Sequence, residues 1–180
     1  MHFQFCLFLF FCMITHTIPL VTGRSMSEPM VAPYVDLVKY TEYPWYEIAS
    51  IEQRFEKQCV KVQAEYILQQ NGNIKVNNYC LKENGREKIA YANAYLPDSN
   101  VTSKLKVSFF WPFYADYWIL YVDENYKYAL VGDRHRKTLW ILSRYISISD
   151  TMYERLLIIA KARGYDVSQL RVLPDAVYEY

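Results

Sequence analysis

Apolar and polar residues alternate with a period of two between Trp45 and Arg144, and turn-forming sequences recur there at short intervals. The turn sequences QQNGN, KENGRE, LPDSN, WPFYAD, DENY and GDRHRK separate seven or eight strand-like runs. Short strands joined by short turns pair with their neighbours in antiparallel fashion. The region therefore predicts an all-β sandwich or barrel.

The clearest hairpin joins VKVQAEYIL, which begins at Val60, to IKVNNYC, which begins at Ile74. Apolar residues occupy alternate positions in both runs, so one face of each strand is buried. Pairing Leu68 with Ile74 across the turn keeps the two apolar faces together. This register places Val62, Ala64 and Tyr66 opposite Cys80, Asn78 and Val76.

The run IAYANAY alternates three alanines with Tyr91, Asn93 and Tyr95. If the alanine face points into a closed barrel, its small side chains leave space for a cavity. The alternative is that the tyrosines face inward. We favour inward alanines because tyrosines on an outer face keep their hydroxyls in water.

The segment LKVSFFWPFYADYWILYV, from Leu105 to Val122, is rich in aromatic residues but does not read as a membrane span. A lysine, a proline and an aspartate interrupt it, and each half continues as a strand. We predict two strands joined at WPFYAD. Trp118 and Leu120 are expected to face outward, toward a helix.

That helix is predicted from SDTMYERLLIIAKARG, where the hydrophobic period changes from two to that of an α-helix. Ser149 or Asp150 is the expected N-terminal cap, and Gly164 marks the end. The apolar stripe of the helix includes Leu156 and Ala160, which must cover a neighbouring surface. We expect the helix to pack on the outside of the strands.

The first 23 residues contain no lysine, arginine, aspartate or glutamate and run through an apolar core into small residues. This pattern is typical of a secretory signal peptide cleaved near Gly23, and an uncleaved membrane anchor is the alternative. Cys12 follows two phenylalanines, so no convincing lipoprotein cleavage site is present. We assign residues 24–34 to an N-terminal extension and 35–180 to one domain.

Cleavage would leave one histidine, His135, and two cysteines, Cys59 and Cys80. Histidine metal clusters, zinc sites and cysteine–histidine dyads need more such residues, so we predict no metal ion and no cofactor. A net charge of +1 also argues against a nucleic-acid partner. His135 lies in GDRHRK, which reads as a solvated turn.

The two cysteines are expected to pair in an oxidising compartment. The register above puts Cys80 opposite Val62 and turns Cys59 to the other face, so a disulfide requires a bulge near the start of that strand. The sequence is compatible both with a Cys59–Cys80 disulfide and with two free cysteines. The sequence NVT at Asn100 is a glycosylation site only in a eukaryotic secreted protein.

The motifs PWYEIA, QRFEK, KLKVSFF, YWIL, ALVG and LWILSR resemble, in order and spacing, those of the lipocalin family. The likeness is to bacterial outer-membrane lipocalins and their relative apolipoprotein D, and it covers Val35 to about Leu173. It implies an eight-stranded antiparallel up-and-down barrel with a C-terminal flanking helix. Two departures, Tyr43 and Trp111, replace glycines that are usual in the family.

The resemblance also implies roles for particular residues. Trp45 and Arg144 would close the base of the barrel, the arginine packing over the indole, and Asp123 and Tyr126 would form a further structural motif. The cavity-lining positions that carry over are Phe55, Ala64, Tyr66, Val76, Asn78, Ala92, Val107, Phe109, Tyr117, Ile119 and Trp140.

The implied function is binding, storage or transport of a fatty acid, lysophospholipid or other small hydrophobic ligand, without catalysis. Such binding could serve membrane maintenance. The expected location is the extracellular space or the periplasm, where the protein could also associate with the outer membrane. An enzyme on the same barrel, an isomerase or a thiol-dependent peroxide reductase, is the alternative, with Cys80 as its thiol. The resemblance also admits a homodimer, and it limits any membrane association to a peripheral one.

Overall fold

Eight antiparallel strands close into a barrel in the computed structural model, which describes residues 27–51 and 58–178. Each strand pairs with the next, and the last returns to pair with the first through Tyr46 and Ser143. This confirms the predicted fold. The strands are β1 (Trp45–Ile51), β2 (Cys59–Leu68), β3 (Ile74–Lys82), β4 (Glu87–Tyr95), β5 (Lys104–Phe110), β6 (Phe113–Val122), β7 (Tyr128–Gly132) and β8 (Leu139–Ser143).

Short elements precede and follow the barrel. Helix α1 (Leu37–Thr41) precedes β1, and the Asp36 carboxylate caps it by accepting hydrogen bonds from two backbone amides. After β8 come β9 (Ile148–Ser149), helix α2 (Asp150–Ala162), a 3-10 helix (Val167–Gln169), β10 (Leu170–Val172) and β11 (Val177–Tyr178).

The predicted register of the first hairpin is confirmed. Leu68 pairs with Ile74, and the inward-facing pairs follow as expected along β2 and β3. A register shift between Cys59 and Lys61 marks a bulge at the start of β2. That bulge turns Cys59 to the inner face, where its sulfur is bonded to that of Cys80.

The alanines of β4 face the interior, as predicted. Ala92 and Ala94 are buried, whereas the Tyr91 side chain is 68% exposed. In the register of β3 and β4, Ala94 lies opposite Ile74 and Ala92 opposite Val76. The small side chain of Ala94 therefore leaves part of the barrel interior unfilled.

The aromatic segment from Leu105 to Val122 forms β5 and β6, which confirms the prediction of two strands. No helix within residues 27–51 and 58–178 has the length and apolar character needed to cross a membrane. The predicted signal peptide, residues 1–23, lies outside the described part of the chain, as do residues 24–26 of the N-terminal extension.

The outer face of the barrel packs against α2. Trp118 and Leu120 share a buried cluster with Leu156 and Ala160 of the helix, as predicted. The Ser149 hydroxyl caps α2 by accepting a hydrogen bond from the Met152 amide. Because these apolar side chains lie between wall and helix, the outer core stabilises the strands without using space inside the barrel.

Strand β10 pairs with the part of β1 that β2 does not reach, and the sequence pattern does not predict this strand. β1 pairs with β2 through Trp45 and Tyr46, and farther along the strand β10 pairs with Ala49 to Ile51. The Arg171 guanidinium joins β10 to the start of β2 by donating to the Cys59 carbonyl over 2.8 Å. The C-terminal segment thereby covers backbone groups of β1 that β2 leaves unpaired.

Candidate functional site

The barrel encloses a cavity of about 630 Å³. It extends from Tyr40 of α1 and Trp45 of β1 to the turn between β7 and β8 at the opposite end. Pockets that hold small molecules typically measure about 300 to 1,000 Å³, are mostly apolar and contain a few polar groups. The volume is therefore that of a binding site for a small organic molecule.

Three tyrosine hydroxyls form a hydrogen-bonded chain at the inner end, which we call the tyrosine floor (Tyr40, Tyr66 and Tyr117). The Tyr117 oxygen lies 2.9 Å from that of Tyr40 and 2.8 Å from that of Tyr66. Burial raises the pKa of Tyr40 and of Tyr117 well above the usual value for a phenol. Tyr40 and Tyr117 are therefore neutral at physiological pH, and the Tyr117 hydroxyl connects those of Tyr40 and Tyr66.

Arg144 closes the barrel beneath this floor. Its guanidinium carbon lies 3.7 Å from the centroid of the Trp45 indole, and the indole nitrogen donates to the Tyr40 carbonyl. The guanidinium also donates to the carbonyls of Lys39, Tyr40, Tyr43, Pro44 and Tyr126. One side chain therefore holds together the end of α1, the start of β1 and the β6–β7 turn.

Asp123 and Tyr126 shape that turn. The Asp123 carboxylate accepts hydrogen bonds of 2.6 Å from the amides of Lys127 and Tyr128, and Tyr126 adopts a positive φ of 54°. The Tyr126 hydroxyl accepts a hydrogen bond from the Asp36 amide, just before α1. Both residues contact backbone at the closed end and neither lines the cavity.

The wall between floor and mouth is mostly apolar. The apolar residues that line it include Ile74, Val76, Ala94, Leu105, Val107, Phe109, Val131, Trp140 and Leu142. Glu47 and Asn78 are the polar exceptions on this wall. The Glu47 carboxylate accepts a hydrogen bond from Ser50, whereas the buried side-chain oxygen of Asn78 has no hydrogen-bond partner among the described residues. A buried unpaired acceptor costs about 1 to 3 kcal/mol, so a donor on a bound molecule would stabilise it.

The mouth carries charged side chains from two hairpins. Asp116 accepts a hydrogen bond of 2.6 Å from Lys106 Nζ and one of 2.7 Å from Arg134 Nε. Burial alone would raise the pKa of Asp116, but these two cations outweigh it and hold the pKa below its usual value. His135 and Lys137, in the predicted solvated turn, are exposed and also line the mouth.

The structure brings most of the predicted cavity residues together. Those that line the cavity are Ala64, Tyr66, Val76, Asn78, Val107, Phe109, Tyr117 and Trp140. Phe55 lies outside the described residues.

Two further residues of the predicted set, Ala92 and Ile119, are not among the residues that line the cavity. Ile119 is fully buried in the interior core, in a cluster with Ala32 and Val35, so the N-terminal segment fills the space beside it. Ala92 is buried opposite the larger Val76, whose side chain forms the cavity surface at that level.

Sequence reasoning missed several residues of the site. Tyr40 precedes the alternating region, and Glu47 lines the cavity as a buried carboxylate that accepts a hydrogen bond of 2.7 Å from Ser50. The network of Lys106, Asp116 and Arg134 was also missed. Part of this network could have been predicted from the sequence, because Lys106 and Asp116 lie directly opposite each other when β5 and β6 pair.

Cys59 and Cys80 are disulfide-bonded, so Cys80 offers no free thiol for the thiol-dependent enzyme considered above. Within the described residues, no group of three histidine, cysteine, aspartate or glutamate side chains could hold a metal ion. The observed arrangement is an apolar channel with hydroxyls at its closed end and cations at its mouth. It can hold a molecule that has one apolar end and one polar end.

The family model of the lipocalin-like domain matches residues 35–175. The outer membrane lipoprotein Blc of Escherichia coli is 40% identical over 126 residues, which cover 69% of this chain and 71% of the relative. Temperature-induced lipocalin-1 of Arabidopsis thaliana is 38% identical over 141 residues, covering 73% and 75%. Apolipoprotein D of Mus musculus is 35% identical over 165 residues, covering 86% and 84%.

A solved structure shows the same fold. Insecticyanin from the tobacco hornworm Manduca sexta superposes with a TM-score of 0.63 at 20% sequence identity, covering 86% of this chain and 91% of the other. At that identity the likeness concerns the fold alone. The closed barrel and its outer helix are thus shared with a protein of quite different sequence.

Proposed function

The chain belongs to the lipocalin family, whose members bind small hydrophobic ligands, and from this premise we propose that its cavity holds a single-chain lipid, a fatty acid or a lysophospholipid. The observation that carries the proposal is the gradient of polarity along the cavity. A mostly apolar wall leads from the cations at the mouth to a floor of mutually hydrogen-bonded hydroxyls. An amphiphile with one acyl chain matches that gradient.

The acyl chain supplies the binding free energy. Each buried methylene contributes about 0.8 kcal/mol, so a tail of roughly ten methylenes contributes about 8 kcal/mol. Micromolar affinity corresponds to about 8.2 kcal/mol, and association itself costs several kcal/mol. Tails somewhat longer than ten methylenes are therefore expected to bind in the micromolar range or more tightly.

The head group is placed at the mouth. Lys106, Arg134 and Lys137 line it together with Asp116 and Asp133, so cations outnumber carboxylates there. Asp133 is engaged with its own turn, where it accepts hydrogen bonds from the amides of His135, Lys137 and Thr138. Lys106 and Arg134 share the one carboxylate of Asp116, and Lys137 is exposed at the rim, so a carboxylate or phosphate head group would meet net positive charge at the mouth.

Binding is tested with a fluorescent fatty acid and with unlabelled fatty acid and lysophospholipid as competitors. Ala94→Phe places a ring in the cavity wall and is expected to weaken binding at least tenfold. Asn93→Phe, at the next position of β4, adds the same ring to an exposed site and is the matched control. Val107→Phe, which lines the cavity opposite Ala94, repeats the test if Ala94→Phe proves unstable.

The proposal fails if neither lipid class displaces the probe from the unmodified protein. It also fails if Ala94→Phe and Val107→Phe bind as the unmodified protein does, because the lipid would then lie elsewhere.

We further propose that the chain is exported, through the predicted signal peptide, to the periplasm or the extracellular space. The Escherichia coli relative is named an outer membrane lipoprotein, and the disulfide is suited to an oxidising compartment. N-terminal sequencing of the exported protein is expected to begin at Arg24. An exported protein that begins at Met1 would favour an uncleaved anchor.

A further inference from the structure

The hairpin of β5 and β6 exposes three aromatic side chains around its turn, which we call the aromatic tip (Phe110, Trp111 and Phe113). Their exposed fractions are 79%, 82% and 77%. Rings of this size normally lie in a core or an interface, because leaving apolar surface in water is unfavourable. The cavity and the closing motifs do not account for their exposure.

The aromatic tip is continuous with the mouth of the cavity. Phe109 and Tyr114 flank the tip on either strand and both line the cavity. Tyr114 is held in place by an edge-to-face contact with Tyr95, with the ring centroids 5.3 Å apart. Apolar surface therefore runs without interruption from the exposed rings to the cavity wall.

Positive charge lies beside the aromatic tip. The ion pair of Asp116 with Arg134 joins the β5–β6 hairpin to the β7–β8 turn. That turn carries Arg134 and Lys137 against the single carboxylate Asp133, whereas the guanidinium of its third cation, Arg136, donates to backbone carbonyls of Arg163 and Ser27. The β4–β5 and β6–β7 turns, at the opposite end of the barrel, carry three carboxylates against the single cation Lys127, so the turns at the open end are the more positive.

From these observations we propose that the aromatic tip inserts into the headgroup region of an anionic lipid bilayer and so places the mouth of the cavity against the membrane. Aromatic rings partition into the interface of a bilayer, and neighbouring lysines and arginines add attraction to anionic lipids. This docking surface is distinct from the cavity proposed above, because it needs no bound ligand.

A second copy of the chain is a poorer occupant of the aromatic tip. Three largely exposed rings of about 150 to 250 Å² each offer roughly 400 to 600 Å², whereas a stable dimer buries about 800 Å² on each partner. The rings also lie on one narrow turn. A bilayer accepts such a protrusion without needing a complementary surface.

The test is sedimentation of the protein with phosphatidylcholine vesicles and with vesicles that also contain phosphatidylglycerol. We expect stronger binding to the anionic vesicles, and a loss of roughly tenfold or more when Phe110, Trp111 and Phe113 are all replaced by Ser. The control replaces three exposed apolar residues elsewhere, Val38, Ile146 and Ile158, by Ser and should bind as the unmodified protein does.

Bromine-labelled phospholipid locates the contact. Trp111 is exposed, Trp45 and Trp118 are buried, and Trp140 lines the cavity. Bromine in the bilayer should therefore quench Trp111 emission, and replacing Trp111 by Phe should remove that part of the quenching and leave only the part that Trp140 contributes. Retained binding of fluorescent fatty acid by the triple tip variant would show that the variant is folded and that the cavity acts independently of docking.

The proposal is overturned if the protein does not sediment with either vesicle, or if the triple tip variant sediments as well as the control. It is equally overturned if the tip variant loses only a dimer in analytical ultracentrifugation, since the rings would then contact a second copy. Failure of fatty acid binding with intact, tip-dependent vesicle binding would overturn the cavity proposal alone.

Discussion

At the base of the barrel, Arg144 makes two kinds of contact that no other cationic side chain could make together. Its planar guanidinium lies over the Trp45 indole while its nitrogens donate to backbone carbonyls of several segments. Burial lowers the pKa of Arg144 from its usual value, but an arginine remains charged at any physiological pH. The cost of burying the charge is offset by these hydrogen bonds.

Replacing Arg144 by Lys therefore tests geometry at constant charge. An ammonium group has three donors and no planar face, so it loses the stacking contact and most of the carbonyl contacts. We expect the free energy of unfolding in urea to fall by about 2 to 3 kcal/mol. Arg155→Lys, on the exposed face of α2, should change it by less than about 0.5 kcal/mol. Equal effects of the two substitutions would contradict the role given to Arg144.

Asp116, at the mouth of the cavity, makes the free energy of unfolding depend on pH. Its pKa is lowered in the folded protein, because Arg134 and Lys106 outweigh the opposing effect of burial. A carboxylate with a lowered pKa stabilises the folded protein when the pH is above the ordinary pKa near 3.8. This stabilisation is lost as the pH falls through the pKa of the folded protein.

We expect the free energy of unfolding of the unmodified protein to fall more steeply below about pH 4 than that of Asp116→Asn. The difference in slope corresponds to at most about one proton. Urea unfolding between pH 5 and pH 2 measures both slopes. Asp175→Asn, at an exposed position outside the network, is the control and should retain the slope of the unmodified protein. Identical slopes for all three proteins would rule out this contribution.

At the level of elements, local hairpins could be predicted from the sequence and distant pairings could not. Alternation along β2 and β3 determines their register, because a shift by one residue would expose every apolar side chain of the hairpin. Strand β10 has only three residues and pairs with a strand more than a hundred positions earlier. Such a short segment carries too little periodicity to be recognised.

The same distinction explains the predicted and missed parts of the site. Inward positions such as Ala64 and Val76 follow from strand parity. Tyr40 reaches the cavity from the segment before the barrel, and Ile119 is covered by that segment. The course of this segment is determined by tertiary contacts, including the hydrogen bond from the Ala32 amide to the Ile119 carbonyl. No pattern within the strands encodes those contacts.

The disulfide is a contact between two elements, and its removal should weaken the barrel without changing its register. Cys59 and Cys80 close a loop of 21 residues, and a crosslink of this size stabilises by roughly 3 kcal/mol. We expect Cys59→Ser/Cys80→Ser to lose about that amount in urea unfolding, with the β2–β3 pairing maintained by the remaining pairs. Unmodified protein kept in reductant is the matched control and should unfold at a similar concentration. If reductant has no effect on the unmodified protein, the bond is absent in solution.

At the level of the whole molecule, the outer core that stabilises the barrel is separate from the cavity inside it. The outer core between the wall and α2 is closely packed, whereas the interior holds a cavity that Ala94 of β4 borders. The closed end is held by Arg144 and the tyrosine floor, and the open end presents cations and exposed rings. A lipid would therefore enter at the mouth with its tail directed toward a fixed floor.

A fixed floor predicts a limit on the length of the tail. Binding of saturated fatty acids is expected to strengthen by up to about fourfold with each added methylene, which is the equivalent of 0.8 kcal/mol. The gain should stop once the tail reaches the tyrosine floor, because further methylenes would remain in water at the mouth. Competition against a fluorescent fatty acid, across a series of chain lengths, locates that plateau.

The position of the plateau should depend on Ala94, because this residue lies opposite Ile74 at the start of β3, close to the closed end. A ring at position 94 shortens the space available to the tail, so Ala94→Phe should move the plateau to shorter chains while short fatty acids still bind. Asn93→Phe should leave it in place. If affinity rises without limit along the series, or if the plateau is the same in all three proteins, the tail does not extend to the floor and the lipid binds nearer the mouth.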